Sequence, residues 1–185
     1  MLSLSLPIPP SVNKYLYPKV INSGKGRVFA RLAETREAQL YKSKTIPIIR
    51  KEIESQKWEI PKEGEFVDVY INYHFPKKGM DPNNYLKILY DTFKVAGVYI
   101  DDDLAKPQTG LVLIDKNNPK LEIIVKKSSQ VGVFKDCNKR EEFISENSEK
   151  MQKRSFNALM KKLDEGRITE KVFLDENYNV KLKED

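Results

Sequence analysis

Two acidic segments near the middle of the chain have the types and spacing that chemistry requires. The first acidic group, at residues 81–84, contains one acid, Asp81, with two asparagines, and Asp101, Asp102 and Asp103 form the second. Carboxylates packed together repel one another, which raises their pKa values unless a cation neutralises them. Because hard oxygen donors are the ligands that Mg²⁺ takes, a divalent metal would stabilise the two groups if they converge.

Each acidic group also has an ordinary structural explanation. Asp is favoured at a helix N-cap and Pro at the first helical position, which suits Asp81 and Pro82 at the start of a helix. The aspartates at 101–103 suit a solvent-exposed turn. Their combination favours a site, because the helix and the turn at Gly97 bring both groups towards one edge of the fold.

Lys87 belongs to the same predicted helix, six residues after Asp81 and four residues before Asp91. The spacing of four predicts an ordinary ion pair between Lys87 and Asp91 on one helix face. A lysine beside a metal site has a second use, because its charge stabilises negative charge that develops on a phosphate during displacement. The spacing leaves both interpretations open.

The elements that would position these residues follow from hydrophobic periodicity. Residues 2–6 alternate as a half-buried strand does, and residues 66–75 alternate strictly, which predicts the clearest strand of the chain. Residues 81–96 place apolar side chains at helical spacing, and Gly97 ends that helix.

Four further segments have weaker patterns. Residues 31–55 predict helices that are interrupted or kinked near Pro47. Residues 98–100 predict a short strand that leads into the second acidic group. Residues 111–114 and 121–125 predict a hairpin, so we expect the sheet to end near residue 127.

This order of strands and helices predicts a mixed α+β fold, a single domain with a mixed β-sheet flanked by helices, over residues 1–127. Residues 128–185 differ in composition and predict an accessory, charged, helical tail. Within the tail one apolar stripe has helical spacing and consists of Phe156, Leu159, Met160 and Leu163.

The charge of the chain favours a polyanionic partner such as nucleic acid. Lys and Arg number 33 against 27 Asp and Glu, and residues 129–185 contain 12 of each sign, so the excess of six lies in residues 1–128. The candidate phosphate contacts are basic residues around the predicted loops, namely Lys14, Lys19, Lys25, Arg27, Arg31, Lys77 and Lys78. Each of them alone is also a typical solvated surface charge.

Other residue types limit the function further. Cys137 is the single cysteine, which excludes an intramolecular disulfide and a cysteine-rich zinc site. No apolar stretch is long enough to cross a membrane, so we expect a soluble, cytoplasmic protein. His74 is the single histidine and has no partner motif, so we assign it no catalytic role. Tyr15 and Tyr17 lie among the lysines and either stack on bases or pack against the domain.

The acidic region resembles the RusA family of Holliday junction resolvases. The family motif D-x-D-N-x-x-K corresponds to residues 81–87, where Asn84 matches the asparagine and Lys87 the lysine. The glycine and the acidic pair that follow in the family correspond to Gly97 and to residues 101–102. The opening at residues 7–13 is similar to the family's P-x-P-P-S-x-N start, so the resemblance covers about residues 1–127.

The resemblance implies a homodimer that binds four-way DNA junctions and nicks two opposed strands symmetrically. It implies Mg²⁺ as the cofactor, with Mn²⁺ as a substitute, and such proteins are often encoded by phages or prophages. It assigns catalysis and metal binding to Asp81, Asn83 and Asp102. Asp101 adjoins the matching position, and we take it as a further candidate metal ligand. Lys87 corresponds to the lysine that acts in catalysis and junction binding.

Asn83 departs from the family pattern, which has an aspartate at this position. An amide oxygen can contact a cation, but it has no charge and cannot act as a carboxylate base. Three explanations are open: a natural variant that uses Asp101 or Asp103 instead, a natural protein that binds junctions without cutting, or an engineered change. The alternative function is therefore an inactive branched-DNA-binding protein of the same fold.

Overall fold

The computed structural model describes residues 1–22, 28–62 and 64–183. The strands in chain order are β1 (Leu2–Leu6), β2 (Leu16–Asn22), β3 (Val28–Glu34), β4 (Glu65–Phe75), β5 (Ala105–Ile114), β6 (Lys120–Val131), β7 (Val172–Leu174) and β8 (Val180–Leu182). The helices are α1 (Arg36–Ser55), α2 (Asn83–Ala96), α3 (Cys137–Asn147) and α4 (Lys153–Asp164). The predicted mixed α+β fold is confirmed.

The chain divides into two compact units. The first consists of residues 1–60 and 69–125, and the second of residues 61–68 and 126–185. No helix within the described ranges is both long enough and apolar enough to span a bilayer.

A four-stranded sheet forms the centre of the first unit, with the strand order β1-β6-β4-β5. β1 and β6 are antiparallel. The Leu111 N–H donates to Asn72 Oδ1, and the Asp115 N–H donates to Phe75 O, each over 2.8 Å. The bonded residue number rises in β4 from 72 to 75 as it rises from 111 to 115 on the β5 side. β5 therefore runs parallel to β4, and the sheet is mixed.

The predicted hairpin of residues 111–114 with 121–125 is wrong, because β4 lies between β5 and β6. An alternating pattern predicts that a segment is a strand. It does not predict which other strands will pair with that strand's two edges. β4 is suited to the central position because every second side chain of it is buried: Val67, Val69, Ile71, Tyr73 and Phe75. The sheet also continues to Val131, four residues beyond the predicted end.

The predicted helix after Asp81 is confirmed, with its first residue at Asn83. Gly97 ends it in the left-handed region at φ 93°, a conformation that glycine adopts without steric cost. The predicted strand at residues 98–100 is absent. The Val98 N–H donates to Phe93 O, and Val98 O accepts from the Trp58 indole at 2.9 Å, so the groups that would start a strand are already bonded.

Helix α1 continues through Pro47 as one helix, so the predicted interruption does not occur. Thr35 caps its first turn, because Thr35 Oγ1 accepts from the Ala38 N–H. A proline inside a helix costs about 3 kcal/mol. The buried helix face, with Tyr41, Thr45 and Ile49 among its members, offsets that cost through packing.

β2 and β3 form a two-stranded ribbon that the sequence analysis did not predict. Its register runs from Leu16 opposite Glu34 to Asn22 opposite Val28, and it includes residues that we had placed in a helix. The signal for it is weak: Val20 and Ile21 precede Gly24 and Gly26, and Val28 and Phe29 follow them.

The second unit has a hydrophobic core of its own. The predicted stripe is buried there, in a core that consists of Phe134, Phe143, Phe156, Leu159, Met160, Leu163 and Val172. The hairpin of β7 and β8 was not predicted and adds strands to a segment that we expected to be helical. Gly132 makes a close approach to α4: a Cβ on it would lie 2.1 Å from Leu163 O, and its φ is +54°.

Candidate functional site

The start of α2 holds the first acidic group. Asp81 Oδ1 accepts from the Asn83 N–H at 3.0 Å, and Asp81 O accepts from the Asn84 N–H at 3.1 Å. Asp81 therefore has the helix-starting role that is ordinary for its position. Its charge also acts on two aromatic neighbours, because burial and then Asp81 raise the pKa of Tyr73 to about 12 and that of Tyr85 above its usual value.

Lys87, six residues after Asp81 in the chain, contacts Asp91 on its own helix and Asp102 of the second acidic group. Its Nζ lies 3.0 Å from Asp91 Oδ1 and 2.9 Å from Asp102 Oδ2. The predicted pair with Asp91 is confirmed, and Asp102 is a second partner from across a turn. Hydrogen bonds to Asp102 and then to Asp91 raise the pKa of Lys87 above its usual value. The side chain is 55% exposed, so a stable positive charge faces solvent.

The second acidic group uses its members differently. Asp101 Oδ1 accepts from the Asp102 N–H at 2.8 Å and begins a short 3₁₀ helix, Asp102–Leu104. Asp101 Oδ2 accepts from Lys94 Nζ at 2.8 Å, and this ammonium first, then Asp102, lowers the pKa of Asp101 to about 2. Asp103 is exposed. Asp101 and Asp102 therefore face two different lysines of the same helix.

A polar network lies behind Lys87 and connects Asp91 to α1. The Tyr15 hydroxyl donates to Asp91 Oδ2 and lies 3.2 Å from Glu34 Oε1. Lys42 Nζ donates to Tyr15 Oη at 3.0 Å and to Glu34 Oε1 at 2.6 Å. These bonds fix the Asp91 carboxylate, which in turn fixes one side of Lys87.

The sequence analysis missed Glu34 and Lys42, and no local spacing connects them to Asp91. Tyr15 was a candidate for stacking on bases, but it is 5% exposed and packs against Ala38, Tyr41 and Ile88. Packing is therefore the correct alternative for Tyr15. Tyr17 is exposed on the ribbon.

Two buried tyrosines, Tyr90 and Tyr99, pack against each other in the first unit. The Tyr99 hydroxyl donates to Tyr90 O at 3.1 Å, and the two rings meet edge to face. Burial raises the pKa of Tyr90 and of Tyr99, and the neighbouring Tyr73 adds to the effect at Tyr90. Asp102 contributes at Tyr99.

The candidate metal ligands have oxygen donors of the type that a hard cation takes. Mg²⁺ commonly binds through one or two carboxylates and keeps several waters, and Asp81, Asp102 and the Asn83 amide supply donors of that type. Among the residues described, no three acidic, histidine or cysteine side chains are already grouped to hold a metal. Asp102 is brought to Lys87, whereas the contacts of Asp81 are with the first turn of α2.

The candidate DNA contacts fall into three sets. Lys77 and Lys78 are exposed in the turn between β4 and α2. Lys19 and Arg31 are exposed and directly opposite each other in the β2–β3 ribbon, where like charges favour an anionic partner. Lys14 pairs with Glu37 at 3.8 Å. Two further candidates, Lys25 and Arg27, lie outside the described residues.

The single histidine has a structural partner. His74 Nε2 lies 3.2 Å from Glu122 Oε2, on the sheet face opposite the buried side chains of β4. Lys120 first, and then His74, lower the pKa of Glu122. His74 therefore belongs to a pair between β4 and β6, and no contact described here joins it to Lys87.

The site geometry stands without support from relatives. Comparison of the sequence with models of known protein families and with curated proteins found no match.

Proposed function

We propose that this protein is a Mg²⁺-dependent, structure-specific endonuclease that resolves four-way DNA junctions by paired symmetric nicks. The ion pair between Lys87 and Asp102 carries the proposal. These residues occupy the lysine and the later aspartate of the motif that the chain shares with RusA-type resolvases. The motif and the contact are separate observations, because 15 residues and a turn separate the two side chains.

Lys87 is suited to act on a phosphate. An ammonium has three donors, and Asp91 and Asp102 accept from two of them, so one remains for an oxygen of the scissile phosphate. Its raised pKa keeps it protonated at neutral pH. Charge placed in advance where negative charge develops lowers the barrier to displacement.

The supporting residues have positioning roles. Tyr15 holds Asp91, and Asp91 holds Lys87, so the ammonium does not have to be ordered when the substrate arrives. Asp81, Asp102 and the Asn83 amide would hold the metal, which would activate water and neutralise phosphate charge. With Asn83 the site has one negative charge fewer than the family pattern, so metal affinity is lower.

DNA binding would use the exposed basic residues. Lys77 and Lys78 precede the acidic motif directly, and Lys19 with Arg31 add charge on the ribbon. A two-fold dimer presents two such sites to a four-way junction, whose arms have the same approximate symmetry. Phosphate contacts of this kind make binding depend strongly on salt.

Asn83 favours a second candidate function, binding of branched DNA without cleavage. Without the carboxylate, the same surface would bind junctions and leave them intact. This alternative keeps every contact of Lys77, Lys78, Lys19 and Arg31 with DNA, and it differs from the first proposal only in turnover.

Changing Asn83→Asp tests the proposal. The chain and the variant are incubated with a labelled synthetic four-way junction and with linear duplexes of the same arms, in Mg²⁺ and in Mn²⁺. Asn118→Asp is the matched control, since it adds the same charge to an exposed turn. We expect preferential junction binding by all three proteins and at least about tenfold faster paired nicking by Asn83→Asp.

Two other outcomes are decisive. Junction binding without nicking by any of the proteins supports the inactive DNA-binding alternative and rejects the nuclease. Failure of every protein to prefer branched over linear DNA rejects both functions.

A further inference from the structure

The two edges of the sheet in the first unit are unlike each other, and from this difference we propose that β5 is the interface with a second copy of this chain. Pairing of β5 with the partner subunit's β5 would join two four-stranded sheets into one continuous sheet. The location of the interface rests on the strand edges and not on nuclease activity, although the proposed paired nicks also need a two-fold dimer. An interface elsewhere would overturn this inference and leave the proposed function intact.

The β1 edge is closed by the chain itself. β1 has five residues, and its leucines are buried while its serines face outward. Gln56 covers the edge, because its Oε1 accepts from the Ser3 N–H at 2.8 Å and its Nε2 donates to Ser3 O at 2.8 Å. Short length and a covering side chain are common ways of preventing edge-to-edge association.

The β5 edge has the opposite character. β5 has ten residues, and β4 is its one neighbour in the sheet order of the described residues. Leu111, Val112, Leu113 and Ile114 are all exposed, by 42% to 61%. A strand with one face in water alternates apolar and polar residues, as β4 does, whereas this run is apolar on both faces. A long, apolar, uncovered edge is a template for pairing with another strand.

Protective residues occur at only one end of β5. Proline lacks the N–H that a neighbouring strand needs, and lysine opposes pairing by its charge, so Lys106 and Pro107 block the N-terminal end. Residues 108–114 contain neither proline nor charge. The pairing surface is therefore the C-terminal half of the strand.

A second copy suits this surface better than other partners. With a two-fold axis at Val112, Leu111 lies opposite the partner subunit's Leu113, and Gly110 lies opposite the partner subunit's Ile114. The leucine pair puts two aliphatic side chains next to each other on the same sheet face. The glycine leaves room for the isoleucine side chain opposite it. DNA is a less suitable partner, because residues 108–114 contain no basic side chain that could neutralise its phosphates.

The first experiment measures oligomeric state. Sedimentation of the full chain over a concentration series is compared with Val112→Lys, which puts two ammonium groups face to face at the axis. Ile124→Lys is the control, because Ile124 is an exposed apolar residue of β6, away from the β5 edge. We expect dimers for the chain and for Ile124→Lys and at least a tenfold weaker dimer for Val112→Lys.

The second experiment tests the register without depending on how Val112→Lys folds. In a Cys137→Ser background, Val112→Cys places its Cα about 5 Å from the same atom of the partner, within the range for a disulfide. Gln108→Cys is the control, since its two copies would be about 26 Å apart. Rapid cross-linking of Val112→Cys alone supports the interface.

A chain that is monomeric at every concentration overturns the inference. So does a dimer that Val112→Lys leaves as tight as before, or cross-linking that is equal at both cysteine positions. None of these readouts needs DNA or metal. A chain that is monomeric at every concentration would also remove the two-fold arrangement behind the proposed paired nicks, whereas a dimer with another interface would leave the proposed nuclease intact.

Discussion

Two clusters of charged side chains, one in each unit, differ in how completely their charges are matched. In the second unit Arg140 donates through Nε and Nη2 to the two oxygens of Asp164, at 2.8 and 2.9 Å. In the first unit Lys87 faces two carboxylates, Asp91 and Asp102, and is more than half exposed. The first pair is closed, whereas the second cluster has an excess negative charge and a free donor.

The difference teaches what makes a polar cluster available for function. The guanidinium fork matches one carboxylate completely, so Arg140 and Asp164 tie α3 to α4 and have no charge left to attract a ligand. An ammonium is a point charge with separate donors, so Lys87 can keep two acidic partners and still approach a phosphate. The excess negative charge of the Lys87 cluster is the charge that the proposed metal would neutralise.

The largest expected effect separates the clusters by activity. In the Asn83→Asp background, Lys87→Met should lower the rate of junction cleavage by about 10²–10³-fold, the usual loss for one preorganised charge. Arg140→Met should leave the rate unchanged where the protein is folded. Single-turnover cleavage at saturating protein measures both.

Lys94→Met is the control on the same helix, since Lys94 pairs with Asp101 in the way that Lys87 pairs with Asp102. A loss of rate as great for Lys94→Met as for Lys87→Met would show that both lysines act only through general charge. The special position of Lys87 would then be rejected.

The next effect concerns the closed cluster and its backbone. Gly132→Ala should lower the free energy of unfolding of the second unit by about 2–4 kcal/mol, because the new Cβ would meet Leu163 O and the φ is unfavourable for alanine. Gly79→Ala also has a positive φ but meets nothing within 4 Å, so it should cost about 1 kcal/mol. Urea unfolding compares them. Equal losses would mean that the close approach to α4 does not matter.

A smaller effect compares the two clusters by stability. Arg140→Met should destabilise the protein by about 1 kcal/mol, since the pair is bidentate but about one third exposed. Lys87→Met should change stability by less than about 0.5 kcal/mol, because the lysine side chain is 55% exposed and its ammonium is well hydrated, although Asp91 and Asp102 are only 21% and 29% exposed. Thermal unfolding of both variants checks the order, and a greater loss for Lys87→Met would reverse our assignment of roles.

The smallest effect is a pH dependence near the open cluster. Burial and then the bond to Asp91 raise the pKa of Tyr15 above its ordinary value of 10.0. The unfolded chain therefore loses this proton first, so stability falls as pH rises above about 10. Tyr15→Phe should make that fall shallower by about one proton, as measured by urea midpoints between pH 8 and pH 11. If the dependence of stability on pH had the same slope in Tyr15→Phe, ionisation of Tyr15 would not contribute to the loss of stability at high pH.

Strong local patterns predicted individual elements correctly. β1, β4 and α2 follow from the alternation at residues 2–6 and 66–75 and from the helical spacing up to Gly97. Segments with competing backbone partners were predicted incorrectly. Residues 98–100 are apolar as a strand is, but Phe93 and Trp58 use the backbone groups of Val98.

Within the candidate site, the sequence by itself determined the contacts that repeat along one helix. Lys87 and Asp91 must meet because four residues make one turn of α2, and Asp81 must lie at its start because of the proline that follows. Only the tertiary structure decided that Asp102 and Tyr15 complete the cluster, and that β4 separates β5 from β6. Such contacts depend on how elements distant in sequence pack together, and local spacing has no information about that choice.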